Sequence, residues 1–364
     1  MNLEFQRKLT QVRALLKSTK AEAALIGRQS NFSWLSCGGR SHVPLNSDRA
    51  FGQLLVTRNA IYIFANGIEM PRLQDEELRG LGVNPLLYDW YDPQPVKTLQ
   101  QIADARKIIS DNGEWGTPAR PELFASLRYA LHPEEVKRLK TLGRTAAEVL
   151  HETCRNIKPG LDEFSLAGQL AFNCSQRYLG PVVLLIATDE RIHRYRHPIP
   201  TRKKLKRHAM LVLCARQHGL IVSLTRLVHF GKLPADLRRR HDAVCAVDAA
   251  FISNTRIGTP IREVFRRGVA GYAEHGFADE WQLHHQGGPC GYEPRDYLGS
   301  PTALGVVLEN QAFAWNPSIA GTKSEDTILA TTKGPQIITQ SKDWPMLEVN
   351  WQSETLLRPD ILVR

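Results

Sequence analysis

Apolar and polar positions along this chain follow two periods, and the switches between them mark its elements. The opening stretch MNLEFQRKLTQVRALLKSTK places Leu3, Leu9, Val12 and Leu15 or Leu16 on one face, the spacing of an amphipathic helix. Residues 23–26 read as a strand, and residues 51–57 and 60–64, separated by Arg58 and Asn59, as a hairpin. Residues 69–80 and 96–109 carry helical periodicity, and the Gly-, Pro- and charge-rich run 111–121 reads as a loop before a domain boundary. A long helix is predicted from Pro133, which suits a first helical position, with Glu134 and Glu135 at the positive end of its dipole. It ends near Asn156, before Lys158, Pro159 and Gly160. A second helix spans 162–178, with Phe164, Leu166, Leu170 and Phe172 as its apolar face. A strand at 182–187, a hairpin at 210–228 turning near Gln217, His218 and Gly219, and helices at about 234–256 and 259–275 come next. Strand-rich sequence then runs to residue 340. Helices and strands are mixed without a short-period repeat, which favours an α+β class over a parallel doubly wound sheet.

At 364 residues and 42% hydrophobic content, the chain can bury a sizeable core and build two domains. No apolar run approaches the roughly 18–20 residues that span a bilayer, and the N-terminus lacks the apolar centre of a signal peptide. A cytoplasmic location without membrane attachment is the expectation. The six cysteines, Cys37, Cys154, Cys174, Cys214, Cys245 and Cys290, form no CxxC pair. That pattern argues against a zinc knuckle, a thioredoxin-type motif and a disulfide scaffold, and predicts reduced, buried thiols.

The net charge of +10 is concentrated in residues 191–208, which hold eight Lys or Arg and no acid. Thin aromatic interleaving and the lack of a recognisable binding fold argue against a nucleic-acid partner. A solvated surface, or a basic mouth that attracts a small anionic molecule, remains. Residues 238–240, three arginines on a predicted helix, read as an exposed face.

Several segments, in this order, resemble blocks of the pita-bread superfamily of creatinase, prolidase, aminopeptidase P and methionine aminopeptidase. They are PEEVKRLKTLGRTAAEVLHETCRNIKPGLDE, RHPIPT, LVLCARQHGLIVSLTR, HHQGGPCGY, WNPS and KSEDTILATTKG. The resemblance covers nearly the whole chain. It implies a creatinase-type N-terminal α/β domain over 1–125 and a pita-bread domain over 126–364. In metal-dependent members two Asp, one His and two Glu hold a pair of ions that activates water. Position by position, the first Asp is matched by Cys214 and the second by Ser223, with Arg226 in the place of the following arginine. The His is matched by His285, with His284 as rival, the first Glu by Asn316, and the last by Glu325. Two hard cations held close together need several anionic oxygens, so the resemblance implies no metal pair and no cofactor. A single soft ion on Cys214, His285 and Glu325 is the chemically conceivable exception.

Creatinase hydrolyses a C–N bond without metal, using a histidine whose place is taken here by His197. An imidazole titrates near neutrality and can hand a proton to a leaving nitrogen. The resemblance therefore implies a metal-independent hydrolase or lyase of a small carboxylate-bearing molecule, with His197, His285 and Glu325 catalytic. Arg295 would grip the carboxylate, aided by Arg49 from the partner of a homodimer. Tyr292, in the place of the family's second His, would line the pocket with Asn316, Cys214, Ser223 and His284. Cys214 is also open to a nucleophile reading, but its apolar setting favours packing. The alternatives are a non-catalytic protein that binds a small molecule or a protein, and an Xaa-Pro peptidase with a residual metal site.

Overall fold

The computed structural model describes residues 2–92, 94–352 and 354–364. The chain divides into two compact units, Met1–Glu134 with His218–Leu220, and Glu135–Gln217 with Ile221–Arg364.

The first unit opens with the amphipathic helix Leu3–Thr19, whose N-cap Asn2 accepts from Phe5 N and whose Phe5, Leu9, Val12 and Leu16 are buried. Its five-stranded sheet is built from β1 (Ala23–Arg28), β2 (Arg49–Thr57), β3 (Ile61–Asn66), β4 (Asn84–Tyr88) and β5 (Ile108–Ser110), in the order β4-β3-β2-β1-β5. The hairpin β2–β3 forms as predicted, with Val56 opposite Ile61. Ala23, Leu25, Leu55, Phe64, Leu99 and Ile108 make up one core cluster of this unit.

Two predicted helices break early. The helix expected at 96–109 covers only Val96–Gln100. Asp104 then caps a new turn through Arg106 N, and the β-branched Ile108 and Ile109 pair with Ala23 and Ala24 in parallel register. The helix expected at 69–80 is reduced to Met70–Arg72 and a wide turn Leu73–Glu77.

In the second unit the helix Pro133–Asn156 forms at its predicted bounds. Its Gly143 is required by contact, since a Cβ there would lie 2.4 Å from Ile338 O, a backbone atom that cannot swing aside. Gly143→Ala should lower stability by about 1–3 kcal/mol despite the better helix propensity of alanine. Thermal unfolding checks this, and a neutral or raised midpoint would contradict it.

One sheet of this unit orders β6 (Gly180–Thr188), β7 (His208–Gln217), β8 (Leu220–His229) and the C-terminal strand as β6-β7-β8-β17, where β17 is Leu362–Val363. A second sheet holds β9 (Gly287–Cys290), β10 (Ala312–Trp315), β13 (Asp326–Thr331) and β14 (Gly334–Ile337), in the order β14-β13-β10-β9. Between β10 and β13 in sequence lie the short β11 (Ser318–Ile319) and β12 (Thr322–Lys323). The chain end adds the hairpin β15 (Met346–Trp351) and β16 (Glu354–Pro359). The helices Ala235–Asn254 and Ile261–Glu274 pack together, and their Val247, Phe251 and Val264 meet Phe313, Trp315 and Ile328 in one core cluster. No helix among the described residues is long and apolar enough to cross a membrane. All six cysteines are free, and five are buried.

Candidate active site

Strand alternation decides what faces the site. Ser223 and Thr225, two apart on β8, lie along the stretch that leads into β13, fixed by Thr225 N donating to Glu325 O and Ser223 N donating to Thr327 Oγ1. Thr225 Oγ1 then donates to Glu325 Oε2 at 2.6 Å. The neighbours Arg226 and Asp326 point the other way, into the core, where they form a buried ion pair at 2.9 Å. Cys214, on β7, brings its thiol to 3.2 Å from Ser223 Oγ.

The Glu325 carboxylate is fully engaged. Lys323 Nζ lies 2.7 Å from Glu325 Oε2, and Arg295 Nη2 lies 2.9 Å from Oε1. Lys323 is 4% exposed and Glu325 2%. Burial alone would raise the Glu325 carboxyl, but the two cations and the hydrogen bonds from Lys323 and Thr225 hold it down at about 2. Lys323, which is not among the residues singled out from the sequence, belongs to this cluster. It stands two residues before Glu325 in an extended stretch, so both side chains share a face.

Arg295 donates through Nη1 to Ser223 Oγ at 3.0 Å and through Nη2 to Glu325, which leaves only its buried Nε without a hydrogen bond. The two-pronged grip on a substrate carboxylate expected of it is therefore already used within the protein. Tyr292 Oη donates to Glu135 Oε1 at 2.5 Å, where both side chains are buried. Arg49 belongs to the first unit and pairs with Glu114 at 2.8 Å.

A histidine cluster forms the other part of the site. His197 Nε2 and His284 Nε2 are 3.1 Å apart, and Asn316 Nδ2 lies 3.2 Å from His284 Nε2. His284 Nδ1 meets Ser318 Oγ at 2.9 Å, an oxygen that also accepts from Arg196 Nη1, and Arg196 is itself paired with Glu280. His285 Nδ1 accepts from Gly287 N at 3.2 Å. His284, expected as the rival of His285 and as a pocket-lining residue, is thus the residue in hydrogen-bond contact with His197. Burial, then Lys323, lowers both His284 and His197; burial, then Arg295, brings His285 to about 4. Neutral imidazoles result. Gly287 (φ +87°) has no room for a side chain, since a Cβ would lie 2.1 Å from Ala314 O and 2.5 Å from Asn316 Oδ1.

The loop that carries His197 is anchored from below. Glu163 accepts from Thr188 N at 2.9 Å and Thr201 N at 2.9 Å, and Asp189 accepts from the backbone N–H of Lys206, Arg207 and His208. Arg191, Arg196 and Lys203 pair with Glu163, Glu280 and Glu190. Part of the basic run is therefore spent on holding the loop.

These residues do not fit a pair of divalent ions. One carboxylate remains, two side-chain cations occupy it, and burial keeps the Cys214 thiol up and protonated. The trio Cys214, His285 and Glu325 also does not assemble. Among the described residues, the group placed to hold an ion is His197, His284 and His285.

The fold is that of a creatinase-type N-terminal domain followed by a pita-bread domain. The Xaa-Pro dipeptidase of Bacillus anthracis superposes with a TM-score of 0.78 at 15% identity, covering 99% of this chain and all of that one. The prolidase of Thermococcus sibiricus gives 0.79 at 16% identity, covering 94% of this chain and 98% of that one. An uncharacterized peptidase of Staphylococcus saprophyticus is 20% identical over 352 residues, 91% of this chain and 99% of the relative. Residues 137–332 match the model of metallopeptidase family M24, and the chain belongs to that family.

Proposed function

We propose that the protein hydrolyses a C–N bond of a small carboxylate-bearing molecule without a metal pair, in the manner of creatinase. The observation that carries this reading is the Lys323–Glu325–Arg295 group, in which side chains supply the positive charge that two ions supply to a carboxylate-rich site. Two cations against one carboxylate leave net positive charge to draw the substrate's anionic end.

His197 is the proton carrier. It is exposed enough to meet a substrate, and its Nε2 contacts His284 Nε2. His284 is held by Ser318 and Asn316, so it fixes the orientation of the His197 ring, as the partner of a general base must. A homodimer with Arg49 contributed by the partner belongs to the same reading, as does a cytoplasmic location.

The test is turnover of a panel of N-acyl amino acids, Xaa-Pro dipeptides and guanidino acids. His197→Ala should lower kcat by at least about a hundredfold, and wild-type activity should survive a chelator. Equal turnover in the mutant, or activity lost to chelation and restored by Mn2+, would overturn the assignment. Binding of a carboxylate with no turnover across the panel would favour a binding protein instead.

A further inference from the structure

The histidine cluster has a second capacity. The ligand atoms of His197, His284 and His285 all lie within 4.8 Å of one another, and the ring centroids are 4.8–5.4 Å apart. The 3.1 Å between His197 Nε2 and His284 Nε2 is close to the roughly 3.3 Å that separates two nitrogens on one tetrahedral zinc ion with bonds of about 2.0–2.1 Å.

Two further features fit an ion. Ser318 Oγ engages His284 Nδ1 and is itself fixed by Arg196, an outer layer that leaves His284 Nε2 facing the cluster. Asn316 Oδ1 is buried without a hydrogen-bond partner, in an amide whose Nδ2 already touches His284. His284 and His285 also line a cleft of about 400 Å³, together with Trp281, Leu283 and Leu298.

We infer that His197, His284 and His285 form a binding site for one soft divalent cation of the zinc class, and that its capture silences the enzyme. The site contains none of the family's carboxylates. Three imidazole nitrogens favour zinc-class ions over hard ones, and the positive charge of Lys323 and Arg295 nearby calls for an anionic fourth ligand such as chloride or hydroxide. His285 joins by giving up its long contact with Gly287 N–H, a weak neutral bond beside a metal–imidazole bond. The ion takes the lone pair that His197 needs for proton transfer. That half of the inference rests on the proposed function; the binding half does not.

The experiment titrates the chelator-treated full chain with Zn2+ by competition with a chromophoric chelator, and with Co2+ by visible absorption. One equivalent should bind, with tetrahedral Co2+ bands and no sulfur-to-cobalt charge-transfer band. His284→Ala and His285→Gln should each weaken binding by at least about tenfold. His275→Ala, at the end of the helix Ile261–Glu274, should match wild type. Circular dichroism confirms that each variant is folded. A thiolate band, or unchanged affinity in both folded cluster variants, would overturn the site. Because binding is read without substrate, it stands or falls apart from the His197→Ala kinetics.

Discussion

Glu325→Gln should destabilise the protein by about 3–5 kcal/mol, although it removes one charge and almost no volume. The substitution leaves Lys323 and Arg295, 4% and 13% exposed, without their shared counter-ion. Two like charges then stand unpaired in a place where water cannot solvate them. The effect has a defined pH dependence. The folded-state carboxyl lies near 2, below its ordinary value of 4.5, so its contribution is fully present above about pH 4.5 and lost as pH falls toward 2. Urea unfolding at pH 7 and at pH 3 should therefore show the gap between wild type and variant narrowing in acid. A variant as stable as wild type at pH 7, or a gap that does not depend on pH, would contradict the pairing.

A second large effect is expected on the opposite face of the same stretch. Arg358 is fully buried and donates through Nη2 to Asp248 Oδ2 at 2.6 Å and Asp326 Oδ2 at 2.8 Å. Asp326 is also held by Arg226, which reaches His151 Nε2 at 2.7 Å and Thr339 O at 2.9 Å. This network ties β8, β13, β16 and the helix Ala235–Asn254 together. Arg358→Met keeps the apolar length and abandons Asp248, whose carboxyl burial already pushes up, so a loss of about 3–5 kcal/mol is expected. Adding Asp248→Asn should restore part of that loss, because the stranded charge is then gone. Chemical denaturation of the two variants checks this. A double variant weaker than the single one by the full cost of a second, independent lesion would contradict the coupling.

The two faces explain what the sequence could and could not convey. The long elements were legible because hydrophobic period and punctuation agree there: Pro133 opens its helix, and Arg58 and Asn59 turn the β2–β3 hairpin. The elements that were misread are those in which a local feature overrides the period. Asp104 restarts the chain, and Ile108 and Ile109 leave a helical run for a strand edge against β1. At the site, the residue types were readable one by one, and the resemblance matches Cys214, Ser223 and Asn316 to carboxylate positions of the family. Their contacts were not. Spacing could not show that His284 and His285, adjacent residues that a regular extended stretch would send to opposite sides, both converge on His197. Lys323 left a trace, because its i,i+2 relation to Glu325 predicts a shared face, but a cation in that place matches no ligand of the family's metal pair. Arg295 was singled out for its charge, and the structure places its Nη2 on Glu325.

These observations share one physical basis: two buried side-chain cations hold the last carboxylate of a site that, in metal-dependent relatives, a pair of ions would fill. The most direct test is a titration of the purified chain with Mn2+, a hard ion that prefers carboxylate oxygen, with free aqueous Mn2+ read by electron paramagnetic resonance. The account predicts that the free-ion signal grows in proportion to added Mn2+ from the first addition. Two equivalents bound per chain, lost in Glu325→Gln, would contradict it.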